Sequence, residues 1–117
     1  MKKMIFFGGF VIMLLVLAGC NYSELFPLDE TVEGAKGLRD GKYVKITGNI
    51  DEFLFENYFK FSDSTGSITV EIENEIWARN GVNPASLTFP ILVEIIGEID
   101  KEKNQETIIE VESLKIK

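Results

Sequence analysis

From residue 43 onward apolar and polar side chains alternate with period two, the pattern of half-buried β-strands. Val44, Ile46, Gly48 and Ile50 alternate with Tyr43, Lys45, Thr47 and Asn49, which predicts a first strand after the turn signal Asp40-Gly41. Residues 51–57 read as a connection, an unusually apolar one because it holds Phe53, Leu54 and Phe55. A second strand points Phe59 and Phe61 inward and Tyr58, Lys60 and Ser62 outward. Asp63-Ser64-Thr65-Gly66 is a tight turn, with glycine free to take positive φ. Ile68, Val70 and Ile72 then share one face of a third strand, and Thr69, Glu71 and Glu73 the other. The second and third strands therefore form a hairpin. Val93, Ile95, Gly97 and Ile99 make a fourth strand, and 100–105 a charged turn. Ile109 and Val111 face inward in a fifth, with Leu114 and Ile116 continuing its apolar content after a shift in alternation.

Two helices interrupt this pattern. Residues 74–80 predict a short helix that offers Ile76 and Trp77 to the core and stops at Gly81. Trp77 reads as a plug on the open end of a barrel. Val32, Ala35 and Leu38 recur at helical spacing, and Glu30 and Glu33 favour the N-terminal end of such a helix. Gly34 and Gly37 weaken it, so an irregular lead-in fits equally well. Five strands, a helix between the third and fourth, and a glycine inside the first and fourth predict an all-β domain: a small, closed five-stranded OB-fold barrel.

The N-terminus has a different character. Lys2-Lys3 precede an uncharged, mostly apolar run over 4–18, shorter than the roughly 20 residues that span a bilayer. The run ends in Leu17-Ala18-Gly19-Cys20, which resembles the lipobox of a bacterial lipoprotein signal peptide. The resemblance implies cleavage before Cys20 and diacylglycerol on its thiol. Residues 1–19 are then the signal peptide, 20–30 a tether and 31–117 the folded domain. The membrane becomes a partner through lipid on Cys20. Asn21, rather than aspartate, after the cysteine favours the outer membrane of a Gram-negative cell; in a Gram-positive cell the anchor is the exterior of the plasma membrane.

Charge and composition then remove whole classes of function. Loss of Lys2 and Lys3 leaves 10 basic against 19 acidic residues over 20–117, a formal charge of −9. Such a surface repels nucleic acid, so no nucleic-acid partner is expected. The sequence has no histidine and one cysteine. Histidine-based triads, imidazole metal sites and internal disulfides fall away, and a zinc site has no ligand set. No catalytic residue, metal site or cofactor is expected.

Tyr43-Val44, Gly48-Asn49-Ile50, Tyr58, Phe61-Ser62-Asp63, Thr65-Gly66, Val70-Glu71-Ile72, Trp77 and Gly97-Glu98-Ile99-Asp100-Lys101 together resemble the bacterial OB-fold (BOF, YgiW/YdeI-like) family of exported proteins. The resemblance covers residues 31–117. It implies an envelope-located five-stranded barrel, linked with stress tolerance and without catalysis. The chain departs from the family pattern in its anchor and in a longer 85–92 stretch. No residue-level site carries over.

Three constellations are candidates for binding. Tyr43, Lys45, Tyr58 and Lys60 project outward and could line a face for a glycan or small molecule; alternatively the lysines pair with Glu71 and Glu73. Glu71, Glu73 and Glu75 form an acidic group that reads either as a solvated face or as a site for a hard cation. Phe53, Phe55 and Phe89, with Leu54, Leu87, Ile91 and Leu92, either pack under the rim or make a patch for an envelope protein. The expectation is a lipid-anchored binding protein, or alternatively an assembly protein that docks through the apolar loop.

Overall fold

The computed structural model describes residues 26–101 and 106–117. The expected leader and Cys20 lie outside the described residues, as do 102–105 of the charged turn. The strands are β1 (Leu28–Asp29), β2 (Tyr43–Phe55), β3 (Tyr58–Asp63), β4 (Gly66–Glu71), β5 (Ile91–Asp100) and β6 (Ile108–Ile116). Helix α1 spans Val32–Lys36, α2 spans Asn74–Arg79, and a 3-10 turn covers Pro84–Ser86. β2 pairs antiparallel with both β3 and β5; β3 pairs antiparallel with β4, β4 parallel with β6, and β6 antiparallel with β5. The pairings thus return to their starting strand, and the domain is all-β as the alternation predicts.

Three details differ from expectation. Residues 51–55 are not a connection: β2 continues through them, placing Phe53 opposite Phe59 and Phe55 opposite Tyr58. Register slips between Ile50 and Glu52 and between Phe53 and Phe55 add residues to one strand. That breaks the period-two pattern and hides the strand in the sequence. Only Glu56 and Asn57 remain as the turn, with Glu56 in the left-handed region at φ 52°. A sixth strand also exists. Leu28 and Asp29 pair parallel with Val44 and Lys45, on the stretch of β2 that β3, paired only from Asn49 onward, does not reach. Ile116 is exposed rather than part of the core, because it sits at the end of β6 beyond the alternation shift.

The core is the inward set of the strands: Val44, Ile46 and Ile50; Phe59 and Phe61; Ile68 and Val70; Val93, Ile95 and Ile99; and Ile109, Val111 and Leu114. Ile72, just past β4, completes the row. Trp77 is fully buried and meets Phe59 edge-on, with ring centroids 5.5 Å apart. Its indole N–H has no acceptor among the described residues, a cost of about 1–3 kcal/mol set against the apolar area the ring buries. Asn80 fixes the end of α2 onto β6 by donating to the Leu114 carbonyl at 2.9 Å.

The two strand glycines mark close backbone approach, as their positions predict. A Cβ on Gly48 would strike the Ser62 carbonyl oxygen and the Phe61 ring, and one on Gly97 the Glu110 carbonyl oxygen. Gly97 lies at the β5–β6 register shift, which also accounts for the break in alternation along β6.

Helix α1 forms despite its glycines, because the amides of its first three residues are each accepted by a side chain. Thr31 Oγ1 accepts from Gly34 N at 3.0 Å. Asp63 Oδ2 accepts from Val32 N at 2.9 Å, and Thr65 Oγ1 from Glu33 N at 3.1 Å. The β3–β4 turn is therefore the cap of a helix that precedes it by about thirty residues. Val32 and Ala35 are buried beneath it.

Candidate functional site

The four outward residues expected to share one face are divided. Tyr43 and Lys45 lie at the start of β2, opposite Glu98 and Ile96 of β5. Tyr58 and Lys60 lie on β3, opposite Phe55 and Glu52 at the far end of β2. A row of directly paired residues runs round the sheet from Tyr58 through Glu71, Glu110 and Glu98 to Tyr43. The two tyrosines stand at its ends, roughly 19 Å of sheet apart at ~4.8 Å per strand. Three carboxylates separate them, so no continuous aromatic platform exists. Tyr43 Oη donates to Glu98 Oε1 at 3.3 Å. Lys45 reaches Asp29 at 3.8 Å, rather than either of the glutamates expected from the sequence.

The acidic residues gather more than their spacing showed. Glu71, Glu73 and Glu75 line a groove of about 190 Å³ with Arg79, Glu110 and Glu112. Carboxylate oxygens of Glu98, Glu110 and Glu112 lie within 4.8 Å of one another. Glu98 and Glu110 are direct cross-strand partners, an arrangement disfavoured by like-charge repulsion. Parallel pairing of β4 with β6 creates this strip, and pairing between strands so far apart in the chain leaves no local signal. Glu75 pairs with Arg79 at 3.8 Å, and Glu73 accepts from Asn57 at 3.1 Å.

The apolar candidates are placed on the β2–β3 hairpin and the segment that faces it. Phe53, Leu54 and Phe55 are 52, 40 and 57% exposed. Phe53 packs edge-on against Phe59, with centroids 5.5 Å apart, and the Phe89 centroid lies 6.2 Å from that of the same ring. Between the hairpin and the 84–89 segment lies a groove of about 440 Å³, lined by the apolar Phe53, Phe59, Pro84, Ala85, Leu87 and Phe89, with Glu56, Asn57 and Asn74 as its polar members. Phe55 lies instead over Tyr58, with centroids 5.0 Å apart, beside a second hollow of about 380 Å³ that Leu54 and Ile108 also line. The structure thus unites Phe53 with Phe89, and Phe55 with Tyr58, on the two sides of one hairpin. Leu87 and Ile91 pack against the core, whereas Leu92 is exposed.

The carboxyl of Asp63 is held below its ordinary value of 3.8. Burial alone would raise it; hydrogen bonds from the Thr65 side chain and from the backbone amides of Val32, Thr65 and Gly66 outweigh that. The group therefore serves the turn and the α1 cap.

A family model described as "Bacterial OB fold (BOF) protein" matches residues 18–116. The chain is 43% identical to Protein YgiW of Escherichia coli (strain K12) over 74 residues, which is 63% of this chain and 53% of that one. It is 30% identical over 82 residues to an uncharacterized protein of Haemophilus influenzae, covering 70% of this chain and 64% of the other. The chain thus spans about half to two thirds of the length of these curated relatives. The structure of the E. coli hypothetical protein YgiW superposes with a TM-score of 0.65 at 37% identity, over 77% of this chain and 90% of that one. Asparaginyl-tRNA synthetase from Pyrococcus horikoshii superposes with a TM-score of 0.63 at 16% identity, over 78% of this chain and 22% of the enzyme, a likeness of fold alone. With its strand ring, its sequence and the fold of YgiW in agreement, the chain belongs to the bacterial OB-fold (BOF) protein family.

Proposed function

We propose that this chain is a lipid-anchored, non-catalytic binding protein of the bacterial cell envelope that engages its ligand through the β2–β3 hairpin. The observation that carries the reading is the exposure of Phe53, Leu54 and Phe55 in succession, between a groove of about 440 Å³ that Phe53 lines and a hollow of about 380 Å³ that Leu54 and Phe55 line. Exposed aromatic side chains next to a preformed apolar hollow are the usual makings of a recognition surface. The absence of histidine from the sequence and the structural use of Asp63 favour binding over chemistry. A part in envelope stress tolerance is consistent with the family resemblance. The assembly reading, in which the same hairpin docks an envelope protein, is favoured over the Tyr43 face because three carboxylates interrupt that face.

The anchor is supported by Lys2-Lys3, the apolar run and Leu17-Ala18-Gly19-Cys20. Cys20→Ser is expected to abolish incorporation of labelled palmitate and to shift the protein from the membrane pellet to the soluble fraction. Label still incorporated by Cys20→Ser, or absent from the wild type, would overturn the anchor. Phe53→Asp combined with Phe55→Asp is expected to eliminate binding of envelope components while leaving the unfolding midpoint within a few degrees, because both side chains are already half exposed. Undiminished binding by that variant would remove the hairpin from the account.

A further inference from the structure

The hairpin offers backbone as well as side chains. β5 stops pairing with β2 at Ile50 opposite Ile91, and the next residue on that side is Pro90, which has no N–H to give. Along 51–55, the β2 edge that faces away from β3 therefore has no strand partner among the described residues. The groove of Phe53, Phe59, Leu87 and Phe89 adjoins this stretch. An open strand edge beside an apolar hollow suits an added strand, in which main-chain hydrogen bonds hold the peptide and a pocket reads alternate side chains.

We propose that residues 51–55 accept an extended, basic polypeptide segment of a partner protein as an extra strand, with one large apolar side chain seated in the groove. This rests on the hairpin being the binding surface and names the class of its ligand. Charge points to a basic partner: Asp51, Glu52 and Glu56 flank the edge, with Lys60 opposite Glu52. A second copy is disfavoured, since pairing two such edges would bring both sets of carboxylates together. A bilayer is disfavoured because the chain enters through β1, which joins β2 at Val44 and Lys45, at the end opposite the hairpin. A glycan presents no repeating N–H and C=O row to match the edge.

The test uses the full chain in detergent micelles and the peptide Lys-Lys-Val-Thr-Phe-Thr-Val-Lys-Lys, compared with the same peptide N-methylated at alternate amides along one edge. Methylation removes backbone donors and keeps every side chain. The proposal expects the unmodified peptide to shift the amide resonances of 51–55 and to bind at least about tenfold tighter than the methylated one. Equal affinities would overturn strand addition and leave the hairpin as an apolar binding surface. Silence with both peptides, while muropeptides or anionic vesicles move the hairpin resonances, would likewise overturn it without touching the broader reading. Silence of the hairpin with every probe would remove both. Protection of 51–55 by concentration-dependent dimerisation, without peptide, would assign the edge to a second copy instead.

Discussion

Gly97→Ala is expected to lower the unfolding midpoint by roughly 10–20 °C, through a loss of about 2–3 kcal/mol. The added methyl would meet the Glu110 carbonyl oxygen and the Ile109 side chain. The first is backbone, held in the β5–β6 ladder, and cannot swing aside. Relief requires the two strands to separate at the register shift between Ile96 and Gly97, where β6 carries its extra residue. Gly48→Ala is expected to act similarly against Ser62 and Phe61 on β3. Gly37→Ala is the control, because its nearest neighbour lies at an ordinary 3.7 Å and its φ is −90°. Thermal unfolding followed by circular dichroism separates the three. Near-identical midpoints for Gly97→Ala and Gly37→Ala would contradict the close approach.

Asp63→Ala is expected to cost about 1.5–3 kcal/mol and to release α1 from the domain. The substitution removes the acceptor for Val32 N and the acceptor for Thr65 N, at 2.9 and 2.8 Å, together with the bond from the Thr65 hydroxyl. Amide exchange of Val32 and Glu33 should accelerate well beyond that of the strands. The pH dependence follows from the direction of the shift. The folded carboxyl titrates below its unfolded value near 3.8, so its contribution is present above that value and is lost as pH falls through the lower folded pKa. The stability difference between wild type and Asp63→Ala should therefore be largest near neutrality and should shrink on acidification below the ordinary carboxylate range. A difference independent of pH would mean that the ionised carboxylate is not what holds the turn.

Period-two alternation made β3, β4, β5 and most of β2 legible from the sequence, because each has one face in the core and one in solvent. It failed over 51–55 for the same physical reason. Two bulges take that stretch out of period, and its side chains face solvent on both sides of the sheet, so no buried face remained to set a pattern. β1 is only two residues long and both are exposed, which leaves it no sequence signature. The family resemblance rests in part on the Phe61-Ser62-Asp63 and Thr65-Gly66 hairpin, together with the Gly97-Glu98-Ile99-Asp100-Lys101 turn, and the structure shows what the hairpin motif does: it closes one turn and caps a distant helix. Phe53 and Phe55 fall in what the pattern reads as an apolar connection, and Phe89 in the longer 85–92 stretch. Their division between two hollows, with Tyr58 joining Phe55, depends on strand register and could not be read from composition. The acidic row through Glu71, Glu110 and Glu98 depends on parallel pairing between β4 and β6.

The surface assignment is tested most directly inside the cell. A photo-crosslinking phenylalanine analogue placed at Phe53 or Phe55, and for comparison at Tyr43, would be irradiated in growing cells and the chain recovered. The account predicts a discrete higher-mass adduct from the two hairpin positions and none from Tyr43. Adducts from Tyr43 alone, with the hairpin positions blank, would contradict it.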